Sequence, residues 1–454
     1  FSTKIDRIEA RLVSVNGGNP IDWRIVVQSP VSGIYKSSLS TTGGWYRLEV
    51  RGIFNGVTVA NAALEKVGIG EVFVICGQSN AAGVPLAGQE GASDDRVNCV
   101  ANFSTSSSNL HPFPEFAQLA ATTDIAPAGT GPWNWGVLGD LLVQRLGVPI
   151  LFINTAFGGL DINAWVVSAA GEKGVNPFSY LTLSEGFPFN SLRNSIQQYT
   201  HMLGVRAILF HQGESDTYIN VSKENYINRM QEVIKQVRQQ TQKEMPFVLA
   251  RVSRFRETLV YQPVIDAQNE VIAQDANVFA GPNTDGISDR FDNVHFSPSG
   301  LRLVAIAWNN SLSNDFFANS NPQAANEPLL PQSSCVSQNL AAPIILDLPT
   351  GLQNSRWSNG VIGSRVSTGA GSLVGRAPDA AGNTFFTPQI RYTSSPIPTK
   401  PLVTIDGPQT FCPGTAITRL NSSYSFNNIW NTTATTNGIN VSTAGNFSVT
   451  HTNV

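Results

Sequence analysis

Charge is scarce in this chain. Only 13% of its 454 residues are Asp, Glu, Lys or Arg, and 29 basic residues nearly cancel 32 acidic ones. No basic patch stands out, which argues against nucleic acid as a partner. Histidine and cysteine are scarcer still. The five histidines (His111, His201, His211, His295, His451) form no His-x-His, no His-Glu-x-x-His and no Cys/His cluster, so no metal centre and no metal chemistry are expected. The four cysteines (Cys76, Cys99, Cys335, Cys412) are too few for a disulfide framework. Cys76 reads as apolar filler in a buried strand, with a Cys76–Cys99 bridge as the alternative. No apolar run approaches the roughly 18 residues that would span a bilayer. The opening Phe1-Ser2-Thr3-Lys4 is not a signal peptide.

Length and small residues are what the chain does have. At this length about two to four domains are expected. With 39 Gly and 26 Pro, and many Ser, Thr and Asn, the composition suits β-rich modules outside the cytoplasm, whether secreted, periplasmic or on the cell surface. Residues 1–68 alternate apolar and polar positions in Ile21–Val27 and Gly44–Arg51, broken by Gly, Pro and Ser turns, which predicts an N-terminal β-sandwich. From residue 69 to 318 the pattern changes to apolar strands alternating with helical stretches, the mark of a doubly wound parallel sheet. Strands are expected at 71–76, 148–153, 206–210, 246–252 and 277–281, in a flavodoxin-like order. Helices are expected at 134–146, 223–240 and 298–313. Between the first two strands, 84–133 reads as a long irregular stretch, of the kind that is usually functional. Its Trp133 and Trp135 read as core anchors. Residues 319–345 are linker-like, and domain boundaries fall at 319–400 and 401–454. A weak repeat follows, with Trp357 and Trp430 as the core of each copy and an abrupt stop at Val454 that predicts a longer natural chain.

Three polar constellations sit at the ends of the predicted strands. Cys76-Gly77-Gln78-Ser79-Asn80 follows the apolar run Glu71–Ile75. Ligands bind at the carboxyl ends of such strands, and a serine beside a turn-forming glycine is a candidate nucleophile there, or a plain helix cap. His211-Gln212-Gly213-Glu214-Ser215-Asp216 follows the apolar Arg206–Phe210. Asp292-Asn293-Val294-His295 precedes a helix start with Ser297 as cap and Pro298 at its first position. An Asp three residues before a His can turn its carboxylate onto the imidazole, fixing the tautomer and stabilising the imidazolium.

These blocks, with Asn154-Thr155-Ala156-Phe157-Gly158-Gly159 and Trp165 between them, resemble the SGNH-hydrolase superfamily. The branch is that of carbohydrate O-acetylesterases, which includes sialate and acetylxylan esterases. The resemblance covers roughly 65–318. It implies a three-layer αβα fold, a serine nucleophile, no cofactor and an acetylated glycan as substrate. Two positions depart from it: Gln212 stands where other members of the superfamily carry Asn, and Leu160 where related esterases often carry Thr. The C-terminal repeat is similar to tandem Ig-like modules in secreted proteins of the Bacteroidetes type, and a spacer role is expected for it.

The roles follow. Ser79 attacks the ester, His295 is general base, and Asp292 orients it, with Glu214 as the competing orienter. The oxyanion donors expected are the N–H groups of Ser79 and of Gly159, or of Gly158, and the side-chain amide of Gln212. Asn80, Trp165 and Arg251 are candidate substrate contacts, and His211 a structural hydrogen-bonder. Two other readings stay open: a non-carbohydrate esterase or lipase of the same fold, and a glycan-binding or adhesive protein without catalysis.

Overall fold

The structure is a computed structural model. It describes residues 5–30, 35–104, 110–335, 344–369, 371–392, 400–410, 417–425 and 427–451. Strands β1 (Arg7–Asn16), β2 (Ile21–Gln28), β3 (Gly44–Phe54) and β4 (Val57–Ile69) form one antiparallel sheet in the order β2-β1-β3-β4. Asn55 and Gly56 join β3 to β4, both with positive φ (49° and 79°), as a two-residue hairpin turn requires. The expected sandwich is therefore a single sheet among the described residues. One face holds Leu12, Ile21 and Tyr46. The other carries Arg7, Glu9, Arg11, Glu49 and Arg51, with the guanidiniums of Arg11 and Arg51 over the Trp23 ring. A charged face needs no second sheet to cover it. Alternation signals strands, but not the number of sheets.

Only Gly70 separates β4 from β5 (Glu71–Gly77), the centre of the second sheet. Its other strands are β6 (Val97–Ala101), β7 (Glu115–Gln118), β8 (Ile150–Asn154), β9 (Ala207–His211), β10 (Phe247–Arg251) and β11 (Val278–Asn283). The order is β11-β10-β9-β5-β8-β6-β7, parallel throughout except for β7. The five expected strands stand in the flavodoxin-like order. The pair β6–β7 extends the sheet from within the stretch expected to be irregular, where the apolar run of β6 is hidden among Ser, Asn and Asp.

Side chains of β5 alternate between two cores. Phe73 and Ile75 join Trp135, Leu142, Val304 and Trp308, while Val74 and Cys76 join Ile162, Trp165, Leu192 and Met230. The helices follow in chain order: α1 (Ser79–Ala82), α2 (Trp135–Leu146), α3 (Ile162–Ala169), α4 (Phe189–Ser195), α5 (His201–Leu203), α6 (Glu214–Tyr218), α7 (Lys223–Thr241), α8 (Gln262–Gln274), α9 (Pro298–Ser311) and α10 (Asn314–Asn319). One π-helical turn (Ile196–Thr200) joins α4 to α5. α2 and α9 cover one face of the sheet, and α3, α4, α7 and α8 the other, which makes the three layers. Ser222 caps α7 and Ser297 caps α9, with Pro298 in its first turn.

The C-terminal part carries small antiparallel sheets. One group surrounds buried Trp357, with Leu346, Leu348 and Val366 beside it. The other surrounds Trp430, with Leu420, Ile439 and Val441. Cys76 and Cys99 are both buried and free, and burial pushes the Cys99 thiol up to about 12. Cys412 lies outside the described residues.

Candidate active site

β5 ends at Gly77, whose φ is +123°. A Cβ there would lie 2.0 Å from the carbonyl oxygen of His211 on β9, so only glycine lets the two strand ends approach this closely. The chain then turns sharply. Gln78 N–H donates to His211 O at 3.0 Å. Its side-chain oxygen accepts from Gly213 N, Ser215 N and the Gln212 amide. Ser79, at the head of α1, is thereby fixed above the sheet's carboxyl edge.

His295 arrives from the loop after β11, three strands away. Its Nε2 lies 2.9 Å from Ser79 Oγ, and its Nδ1 lies 2.7 Å from Asp292 Oδ2. The other oxygen of Asp292 accepts from the N–H groups of Val294 (2.9 Å) and His295 (2.6 Å). Burial raises the Asp292 pKa, but these bonds to His295 and Val294 outweigh it and hold the carboxyl below its usual range. An ionised carboxylate only accepts, so Nδ1 carries the proton and Nε2 is free to accept from the serine hydroxyl. Asn293 takes a left-handed conformation (φ +64°) that closes the turn. Phe291 stacks on the imidazole at 5.9 Å. Arg290 reaches Val294 O, Thr284 O and Ile287 O, tying the loop from beneath. The expected reading of this motif named Asp292 and His295 but not Arg290. A basic residue two positions before the Asp was the available signal.

Glu214 is not beside His295. It is wholly buried and accepts from Asn80 Nδ2 at 2.8 Å and from His211 Nε2 at 3.2 Å. Burial raises its pKa, but His211, Asn80 and Arg290 together bring it below the usual value. The competing orienter is thus a structural carboxylate. Asn80 is fully buried and also donates to Val294 O, so it links the nucleophile turn to the base loop instead of facing substrate.

Three further expectations are corrected. The Gln212 amide nitrogen already donates to Gln78 Oε1, Leu160 O and Asp216 Oδ2, which leaves no hydrogen for an oxyanion. Trp165 is fully buried in the core beside Phe210, because it lies on the inward face of α3. Arg251 donates to Gly281 O on β11, at the far side of β10 from Ser79. The glycine pair fares differently. A Cβ on Gly158 would stand 3.4 Å from Ser79 Cβ, so this backbone lies against Ser79. The N–H groups of Ser79, Gly158 and Gly159 donate to no protein acceptor among the described residues.

Around this centre lies a second buried network. Asp161 caps α3 through Ala164 N, and Asp216 accepts from Ile162 N and Gln212. Burial and the neighbouring Asp161 push Asp216 up to about 7. Beside Gly159, Asn176 holds a small hairpin by accepting from the N–H groups of Phe178 and Ser179. Phe178 stacks on Tyr218 at 4.4 Å and lies 5.6 Å from Phe255, a partly exposed aromatic trio on the same edge of the sheet. Among the described residues no group of three or more His, Cys, Asp or Glu is placed to hold a metal ion.

The family whose description reads carbohydrate esterase, sialic acid-specific acetylesterase, matches residues 69–312. No curated protein matches the chain. Among solved structures, a carbohydrate acetylesterase from Xanthomonas citri is 14% identical over 97% of this chain and 94% of that one, with a TM-score of 0.43. A protein from Arabidopsis thaliana is 19% identical over 55% and 98%, at 0.36. A family two carbohydrate esterase from Cellvibrio japonicus is 11% identical over 69% and 88%, at 0.32.

Proposed function

The chain belongs to the carbohydrate esterase family of sialic acid-specific acetylesterases, and we propose that it removes O-acetyl groups from glycans, of sialate or xylan type, through an acetyl-serine intermediate. The observation that carries this reading is the continuous chain Ser79–His295–Asp292, with spacings of 2.9 and 2.7 Å.

In the first half-reaction Ser79 Oγ attacks the acetyl carbonyl and its proton passes to His295 Nε2. Asp292 stabilises the imidazolium and keeps the ring in register. The tetrahedral oxyanion takes hydrogen bonds from the N–H of Ser79 and of Gly158 or Gly159, groups that make no competing bond. The C–O bond breaks, and His295 returns the proton to the departing sugar oxygen. In the second half-reaction water attacks acetyl-Ser79, again with His295 as base, and acetate leaves. No cofactor is required by these steps.

The aromatic trio supports the substrate class. Phe178 on the Asn176 hairpin, Tyr218 on α6 and Phe255 after β10 offer flat apolar area to the C–H face of a pyranose ring, and Asn176 lies beside Gly159. The low charge of the chain supports a site of action outside the cytoplasm, which fractionation of the native host would test.

The deciding experiment measures acetate released from 4-nitrophenyl acetate, acetylated xylan and O-acetylated sialic acid, beside the Ser79→Ala protein. Turnover that disappears in the variant supports the reading. Turnover that persists in it, or none on any ester, overturns it.

A further inference from the structure

A cavity of about 720 Å³ lies far from Ser79, between the main domain and the first C-terminal β-unit. Its walls are α4 with the π-helical turn, the end of α7, and strands at Arg356–Trp357 and Gly375–Pro378. Three arginines line it, Arg193, Arg356 and Arg376. Arg356 and Arg376 are direct partners across an antiparallel pair. Like charges placed directly opposite are destabilising. None of the three meets a carboxylate. Arg193 donates to the Gln240 side chain at 3.3 Å and Arg376 to the carbonyl of His111. The segments outside the described residues contain no Asp or Glu. Each guanidinium has five N–H donors, so among the described residues most are unspent. Burial lowers the pKa of Arg193, and burial together with the charge of Arg356 lowers that of Arg376 against an opposing contribution from Tyr199. The rest of the wall is polar. Gln197 bridges the two units by donating to Gln240 O at 2.9 Å and Ala381 O at 2.8 Å.

We propose that this cavity binds a carboxylate-bearing sugar unit, of uronic or sialic acid type, as a second glycan site distinct from the Ser79 centre. The forked guanidiniums match a carboxylate bidentately, and side-chain amides such as that of Asn354 suit sugar hydroxyls. The volume falls in the range of small-ligand pockets, roughly 300–1,000 Å³. The carboxylate half of this assignment stands on the arginines. The sugar half rests on the reading of the chain as a glycan esterase. The site needs both units, which gives the C-terminal unit a binding role in place of the spacer role expected for it.

The test is calorimetric titration of the full chain with N-acetylneuraminic acid and with glucuronic acid, against glucose and inorganic phosphate. One site for an acidic sugar is expected, weakened at least tenfold in Arg193→Gln and in the exposed Arg356→Gln, and weakened by added salt. Turnover of 4-nitrophenyl acetate should stay within twofold in both variants, and their melting temperatures should match the wild type. Three outcomes overturn the proposal: no binding of either acidic sugar, binding that survives both substitutions, or phosphate binding as tightly as the sugars, which would make the cavity a bare anion hole. Binding is read without turnover, so a protein that cleaves no ester leaves this result standing while the catalytic reading falls.

Discussion

The side-chain amide of Asn80 donates to Glu214 at 2.8 Å, wholly inside the protein. The residue after Ser79 is thus held by a buried carboxylate that makes no hydrogen bond to the His295 imidazole among the described residues. Two carboxylates near one site therefore have separable duties. Asp292→Asn should lower kcat by roughly a thousandfold or more with little change in melting temperature, because an amide favours the wrong tautomer. Glu214→Gln should lower the melting temperature, since His211 and Asn80 lose a charged partner. Steady-state kinetics and thermal melts on both variants check this. The opposite pattern would exchange the roles.

Gly77→Ala should be among the most damaging single-methyl additions in the chain. The new Cβ would stand 2.0 Å from His211 O, and the backbone there is left-handed at +123°. Both β5 and β9 must give way, so expression yield, melting temperature and esterase activity should all fall. Gly369→Ala, with open space around it, should change none of them. Equal behaviour of the two variants would contradict the close approach of the strand ends.

Asp216 predicts a pH effect on stability. Its carboxyl is pushed from 3.8 up to about 7 by burial and by Asp161, while Gln212, Ile162 N–H and Arg229 oppose the shift. Below pH 3.8 folded and unfolded chains both hold the proton, and the group is neutral to stability. Between there and about 7 only the folded chain holds it, so stability falls as pH rises, and the loss is complete above 7. Asp216→Asn should therefore show a smaller drop in melting temperature between pH 5 and pH 8 than the wild type. Parallel curves would show that Asp216 does not titrate in this window.

Phe178→Ala should raise KM for an acetylated oligosaccharide several-fold and leave 4-nitrophenyl acetate nearly unaffected, because the small ester does not extend to the aromatic trio. Tyr218→Phe, which keeps the ring, should behave as the wild type. A uniform loss on both substrates would mean that Phe178 only supports the Gly158–Gly159 turn.

Much of this was legible in the sequence, for physical reasons. Four of the five expected strands, β5, β8, β9 and β10, are almost wholly buried and read as apolar runs. Ser297 and Pro298 announce the start of α9. The separation of Asp292 and His295 is local, so a three-residue spacing suffices to foresee their bond. What failed was non-local. Gln212 looks free in sequence, but Gln78, Leu160 and Asp216 converge on its amide from three other segments. Trp165 lies one turn from the site in sequence, but the phase of α3 turns it into the core. Polar neighbours mask the five-residue run of β6, and alternation in the N-terminal segment does not tell one sheet from two.

Ser79 and His295 are 216 residues apart. A ribosome two residues past β5 has made the proposed nucleophile, yet most of the main domain must still be synthesised before the proposed base exists to activate it. The loop from Thr284 to Ser297, which spans three strands to reach the serine, is the last part of the relay to be made. On the proposed relay, an unfinished or prematurely cut chain is silent as an esterase however well its early strands have folded. Activity is itself a report that translation passed residue 295 and that the sheet closed in its proper order.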